Sequence, residues 1–278
     1  GHSGLGFTFL ERLLNPHDGG VKEVAVYGSL LATGGAALFM IIHEVLVRGE
    51  LVRADHAISV MIAGWRTSWS DSVMLVATAL GDTTVTASVV AVAALWCFWK
   101  GERKFALGII TALAATAAFV ILMKAGMKIS RPTLLYQGND AFSFPSGHTS
   151  FAAALYGILG WIWLRGLQKP WRSTAIFFTA LLIASIAFSR IYLQAHWPSD
   201  VAAGLFFGLC LTIVFALSFR AANIEAIAPR GLLLVVALAL GTIGGWHAAF
   251  SHAADTALYA PRPTPAMTTL AEWRATGW

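Results

Sequence analysis

Charge is scarce in this sequence. Only 12% of its 278 residues are Asp, Glu, Lys or Arg, against roughly 25% in an average soluble domain, while 57% are hydrophobic. That imbalance excludes a soluble domain with a large core and implies a chain embedded in a membrane. Cysteine is nearly missing: Cys97 and Cys210 both fall inside apolar runs, which excludes a disulfide framework and says nothing of redox compartment. Blocks of like charge are missing too. The net charge is +5, but the basic residues are dispersed at the ends of apolar runs, where the positive-inside rule and lipid headgroups account for them. No nucleic-acid partner is implied. The start shows neither an initiator Met nor a signal-peptide pattern, and Gly1-His2-Ser3 reads as a remnant of tag cleavage. The abrupt end at Thr276-Gly277-Trp278 suggests a piece of a longer polypeptide, with room for a further domain beyond the C-terminus.

What the sequence does have is long apolar runs. They cover residues 24–47, 74–99, 105–127, 148–165, 173–192, 198–218 and 231–250, and about 20 residues at 1.5 Å each cross a hydrocarbon core of about 30 Å. These seven runs predict an all-α, polytopic membrane bundle. Residues 1–23 form a lead-in, turn-rich at Asn15-Pro16-His17-Asp18-Gly19-Gly20. Residues 56–70 put Ile58, Met61, Ile62 and Trp65 on one helical face, with Trp69 one turn on. That pattern suits a short helix lying in the interface; an ordinary connecting helix is the plainer alternative. Asp82 at a membrane edge is a functional candidate by type, although a capping acid at a helix start is the preferred reading. Gly204/Gly208 and Gly241/Gly245 have the spacing that permits close helix approach. The tail 251–278, with Pro261, Pro263 and Pro265, reads as an outer-face linker.

Three polar clusters interrupt the apolar chain between residues 124 and 200. They are Lys124-x6-Arg131-Pro132, Phe144-Pro145-Ser146-Gly147-His148, and Ser189-Arg190-x5-His196-Trp197-Pro198-Ser199-Asp200. Lys and Arg set the expected orientation. The short loops 100–104 and 165–172 are densely basic, which assigns them to the cytoplasm and the three clusters together to the outer, periplasmic face.

Each cluster suggests chemistry. Pro198 suits the first position of a helix, which puts Asp200 in the first turn, where the dipole favours a carboxylate. His196 lies four residues earlier, within reach of Asp200. A carboxylate on one ring nitrogen fixes the tautomer and frees the other nitrogen to attack; an inert interfacial His196-Trp197 pair is the alternative. Ser146 is a natural N-cap, and a helix start with a glycine binds phosphate readily. His148 in that turn is placed to protonate a leaving oxygen, or is simply wetted at the interface. Ser146 has no Gly-x-Ser-x-Gly elbow that would make it a nucleophile. Lys124, Arg131 and Arg190 supply cations that match phosphate oxygens, whereas Lys128 reads as a snorkelling lysine.

Together these motifs resemble the three signatures of the type 2 phosphatidic acid phosphatase (PAP2) superfamily, complete and in order, in a region covering roughly residues 75–220. The resemblance implies a six-helix membrane core within residues 24–220, with 221–250 as an additional transmembrane helix. It implies metal-independent hydrolysis of lipid phosphates with no cofactor. By the same likeness His196 is the nucleophile that forms a phosphohistidine, Asp200 orients it, and His148 protonates the leaving group and then activates water. Lys124, Arg131, Arg190, Ser146 and the Gly147 N–H hold the phosphoryl oxygens. Undecaprenyl pyrophosphate is the first choice of substrate, because an outer-face site suits recycling of a carrier lipid; phosphatidic acid, phosphatidylglycerol phosphate and lipid A phosphates are the alternatives. The segment 133–142, with Tyr136 and Asp140, is expected to shape headgroup choice. A metal hydrolase, and a transporter or binding protein without turnover, are the competing readings from other classes. The haloperoxidases share these motifs, but a membrane chain argues against that use.

Overall fold

The computed structural model describes residues 19–133, 135 and 138–261, and its regular structure is helical. The helices are α1 (Gly19–Leu46), α2 (Glu50–Ala63), α3 (Ser68–Ala79), α4 (Thr83–Trp99), α5 (Arg103–Met127), α6 (Gly147–Arg165), α7 (Lys169–Tyr192), α8 (Pro198–Phe219), α9 (Pro229–Ala239) and α10 (Gly245–Leu258). A π-helical turn over Leu240–Gly244 joins the last two, so that Pro229–Leu258 runs as one apolar rod. Among the described residues, six stretches are long and apolar enough to cross a membrane: α1, α3 with α4, α5, α7, α8, and α9 with α10. Of the seven expected runs, α6 falls outside that set. Its first turn carries His148, Thr149 and Ser150, and its flanks are packed by α5, α7 and α8, so the central helix needs less lipid-compatible surface than its neighbours.

Local sequence explains where the other boundaries fall. The expected interfacial helix over 56–70 is divided in two. Gly64 closes α2, and Thr67 opens α3 with a capping box, its Oγ1 accepting the Ser70 N–H at 3.2 Å while Thr67 N–H reaches Ser70 Oγ at 3.1 Å. Trp65 therefore sits in the joint and Trp69 on the next helix, both exposed. Asp82 is the N-cap of α4, accepting Thr84 N–H at 2.7 Å, as the capping reading required. Helix α10 continues to Leu258, and Tyr259 beyond it is buried, so the stretch 251–258 is helix and no linker. Residues 1–18, Tyr136 and 262–278 lie outside the described residues.

Helix α6 is the axis of the bundle. Gly204 and Gly208 let α8 lie directly on it: a Cβ at Gly204 would come within 2.9 Å of Ser146 O, and one at Gly208 within 2.7 Å of Ser150 O. The Gly241/Gly245 pair meets nothing within 4 Å, so the same spacing serves no packing contact there. At the end remote from the polar clusters, Phe105 stacks on Phe219 at 4.5 Å, and Trp161 sets its edge against Phe215. Arg165 there joins Glu23 of α1 at 3.2 Å and the Arg220 carbonyl at 2.8 Å. Lys100 lies over the Trp99 ring, 4.2 Å from its centroid, at the same end. Phe39, Leu122 and Phe250 are among the large apolar side chains left exposed on the bundle's flanks, as suits a surface solvated by lipid. The polar clusters occupy the opposite end, where α5 and α7 finish and α4, α6 and α8 begin.

Candidate active site

The third cluster is shaped by a reversal between α7 and α8. Gln194 adopts a left-handed conformation (φ 56°), and the N–H groups of Ala195 and His196 both bond back to Arg190 O, at 3.0 and 3.2 Å. Pro198 starts α8, and Asp200 turns back to accept the Trp197 N–H at 2.9 Å. The same Asp200 Oδ2 lies 3.3 Å from His196 Nδ1. His196 is 2% exposed and Asp200 is fully buried. On its other side, His196 Nε2 lies 3.0 Å from Arg131 Nη1. Arginine has only donors, so Nε2 faces it as an acceptor, which leaves the ring proton on Nδ1, directed at Asp200. Burial, and next the Arg131 and Arg190 cations, hold the His196 pKa well below its ordinary value. The ring is therefore neutral, with its Nε2 lone pair held by Arg131.

The second cluster is tied to the third by the Ser146 N–H, which donates to Asp200 O at 3.0 Å. Ser146 caps α6 as the sequence suggested: its Oγ lies 2.9 Å from Thr149 Oγ1 and accepts Thr149 N–H at 3.4 Å. His148 follows in the first turn. Gly81, in the turn between α3 and α4, lies against it, and a Cβ there would run into Ile186 Cγ2 at 2.5 Å.

The first cluster closes the site from α5. Lys124 is buried in the last turn of α5, with its Nζ 3.0 Å from Asp140 Oδ1. Lys128 ends the helix in the left-handed region (φ 50°). A single bridge pairs Ser130 with Phe142, and Arg131 emerges from it to donate to Asp140 O at 2.8 Å and Ala195 O at 2.7 Å. Arg190, 1% exposed, donates through Nη1 to Thr78 Oγ1 and, at 3.2 Å, to Tyr259 Oη.

These groups surround one cavity of about 400 Å³, lined by Lys124, Arg131, Gly147, His148, Arg190 and His196, with Gly81, Asp82, Thr83 and Asp140 at its polar border and Ala117, Val120, Ile121 and Phe151 along one wall. Ser146 and Asp200 stand behind it, bonded to groups that line it. Lys128 faces a different, smaller cavity beside Asp55, His56 and Trp197. Every expected site residue is thus in the cavity wall or directly behind it. Among the described residues no three of His, Cys, Asp and Glu come together in a way that would hold a metal ion. The arrangement offers a neutral imidazole aligned by a carboxylate, a second histidine, a helix start and three cations. It is a setting in which a phosphoryl group can be gripped and attacked.

Four participants escaped the sequence reading. Asp55 of α2 accepts both Ser199 N–H (2.8 Å) and Ser199 Oγ–H (2.6 Å), so it caps α8 from another helix. Burial raises its pKa from 3.8 to about 6. Thr78, Tyr259 and His247, the last 3.4 Å from Asp82, approach the cavity from segments far away in the chain. No local pattern marks any of the four, because each acts through a long-range contact.

Residues 105–224 match the family model described as the PAP2 superfamily. Among curated proteins, phosphatidylglycerophosphatase B of Bacillus subtilis is 24% identical over 176 residues, 62% of this chain and 87% of that protein. The lipid A 1-phosphatase of Rhizobium johnstonii is 28% identical over 150 residues, 50% of this chain and 56% of that protein. The undecaprenyl-diphosphatase of Sulfolobus acidocaldarius is 26% identical over 150 residues, 50% of this chain and 64% of that protein. The chain therefore spans less than two thirds of the length of the last two. Among solved structures, the crystal structure of a transmembrane PAP2-type phosphatidylglycerolphosphate phosphatase from Bacillus subtilis has a TM-score of 0.56 at 22% identity, covering 73% of this chain and 97% of that one. At that identity the likeness speaks for the fold.

Proposed function

We propose that this chain, whose residues 105–224 match the PAP2 superfamily model, hydrolyses a lipid phosphate or pyrophosphate at the end of the bundle where its three polar clusters meet. The observation that carries this reading is the line Asp200–His196–Arg131, with Nδ1 on the carboxylate, Nε2 on a guanidinium and the ring in the cavity wall. A binding protein or transporter needs the cations but has no use for an imidazole fixed in its nucleophilic tautomer.

The steps follow from the groups present. A phosphoryl group entering the cavity draws Arg131 off Nε2 and onto its own oxygens. Lys124, Arg190 and the amide of Gly147 complete the grip, and the negative charge that builds on the equatorial oxygens is met by groups already in place. The Nε2 lone pair attacks the terminal phosphorus as its bond to the leaving oxygen breaks, that oxygen belonging to the lipid phosphate in a pyrophosphate and to the lipid alcohol in a monophosphate, and His148, protonated beside the bound anion, gives that oxygen its proton. Asp200 stabilises the cationic ring of the phosphohistidine through Nδ1–H. Water then attacks phosphorus while His148 takes its proton, the P–N bond breaks, and orthophosphate leaves.

The proposed substrate is undecaprenyl pyrophosphate, with the site at the periplasmic face of the inner membrane. The basic loops at the far end of the bundle support that orientation, and one curated relative is named for an undecaprenyl diphosphate substrate. Others are named for phosphatidylglycerophosphate and lipid A, so these and phosphatidic acid are the competing substrates. The proposed phosphatase core is residues 24–220.

Phosphate release from a panel of these lipids, by the purified protein with EDTA present, tests the reading. Full activity in EDTA, inhibition by vanadate and the highest kcat/KM on the prenyl pyrophosphate are expected. Activity that EDTA abolishes and a divalent cation restores would replace the phosphohistidine route with a metal-dependent one.

A further inference from the structure

The stretch matching the family model ends at residue 224, yet the chain after it touches residues of the cavity wall twice. His247 of α10 lies 3.4 Å from Asp82 at the cavity border. Tyr259, directly after α10 and only 5% exposed, accepts a hydrogen bond from Arg190 Nη1 at 3.2 Å, and its ring lies 5.4 Å from the guanidinium carbon. The tyrosine is itself anchored from behind. Its carbonyl accepts Arg66 Nη2 at 2.7 Å, and Arg66 is forked onto Asp71 with two bonds of 3.0 Å.

We infer that Tyr259 is a positioning residue for the reaction, holding the Arg190 guanidinium in the plane from which it grips the phosphoryl group. The inference rests on the phosphatase reading above. Arginine recognises phosphate through a planar fork, so its value depends on orientation as well as charge, and a group off by more than about 10–20° loses much of its effect. Arg190 begins at the last turn of α7 and reaches the cavity past α3, where Thr78 takes one bond from Nη1. The tyrosine adds a second acceptor on the same nitrogen and a ring face against the cation, and two contacts fix a plane. Because the Arg66–Asp71 pair grips the Tyr259 backbone, the geometry passes from the α2–α3 joint to Arg190 without involving the nucleophile.

The test is Tyr259→Phe in the 278-residue protein. This variant keeps the ring and its packing and removes only the hydroxyl. Hydrogen bonds to charged groups are the stronger class, so a loss of roughly tenfold in kcat/KM is expected, with vanadate affinity weakened by a similar factor and the melting temperature unchanged. In an Arg190→Lys background, which has no fork to orient, the same change should cost nothing further in vanadate affinity. Parental kcat/KM and vanadate affinity in Tyr259→Phe would overturn the inference. So would a lower melting temperature with vanadate affinity intact, or an equal loss in the Arg190→Lys background. A parent that neither releases phosphate from any lipid nor responds to vanadate would overturn the phosphatase reading itself.

Discussion

Arg131 Nη1 is 3.0 Å from His196 Nε2, a cation donating to the atom proposed to attack phosphorus. In the resting site this contact satisfies the lone pair of a buried imidazole. When a phosphoryl group binds, the same guanidinium must transfer to its oxygens, which uncovers Nε2 only once there is something to attack. Arg131→Lys keeps the charge and loses the fork. It should lower kcat by about 10²–10³, the loss typical of a missing oxyanion donor, whereas His196→Ala should abolish phosphate release with the melting temperature unchanged. Steady-state kinetics and thermal melts check both.

The acid limb of kcat/KM should lie below pH 6.5. Burial and two neighbouring arginines depress the His196 pKa, so the ring remains an unprotonated nucleophile as the pH falls past the value at which a free histidine would charge. Removing one of those cations raises the pKa. The profile of Arg131→Gln should therefore show its acid limb at higher pH than the parent. A limb that does not move would mean that His196 protonation does not set it.

His148→Ala should separate substrates by leaving group. A general acid contributes about 10²–10⁴ where the leaving oxygen is a strong base. A lipid phosphate should lose most of that factor, while an aryl phosphate with an acidic phenol should lose much less in the first step. With the aryl substrate the water step becomes limiting, and phosphoenzyme should accumulate. Rapid-quench labelling with a radioactive phosphate measures it directly.

Asp55 gives a stability prediction with a definite sign. Its pKa in the fold is about 6, above the ordinary 3.8, so the folded state binds the proton more tightly than the unfolded chain. The stability this group contributes is complete below pH about 4 and is lost as pH rises through about 6, by an amount of the order of 3 kcal/mol. Asp55→Asn cannot ionise. The melting-temperature difference between variant and parent should shift in favour of the variant between pH 4 and pH 7. Asp55→Ala, which strands the buried Ser199 N–H and hydroxyl, should cost about 1–3 kcal/mol at any pH.

Asp140 is an exposed carboxylate resting on the buried Lys124, and it competes with substrate for that cation. Asp140→Asn should lower KM a few-fold and leave kcat nearly unchanged, since a pair with one exposed member is worth no more than about 1 kcal/mol.

The groups of the candidate site were legible in the sequence because each interrupts an apolar run, and polar residues in such places need a reason. Pro198 and Asp200 announced the start of α8, and Ser146 that of α6, through capping rules that operate within four residues. Gly204 and Gly208 fitted their spacing, whereas Gly241 and Gly245 had the same spacing and no partner, because a glycine pair permits an approach without causing one. The break at Gly64–Thr67 was missed because the tryptophans around it continue a helical stripe that the Thr67 capping box interrupts. Asp55 and Tyr259 were invisible for a different reason: one is 144 residues from Ser199 and the other 69 from Arg190, and no periodic pattern carries information over such separations.

The wall formed by Ala117, Val120, Ile121 and Phe151 determines how the protein counts its substrate. Ile121 is exposed on the flank of α5 and also borders the cavity, so the hydrocarbon tail of a bound lipid can remain among its neighbours while the headgroup turns inward. Encounter then takes place in two dimensions. The variable that governs rate is the mole fraction of substrate in the surrounding bilayer or micelle, and adding inert detergent at fixed bulk substrate should slow turnover as surely as removing substrate would.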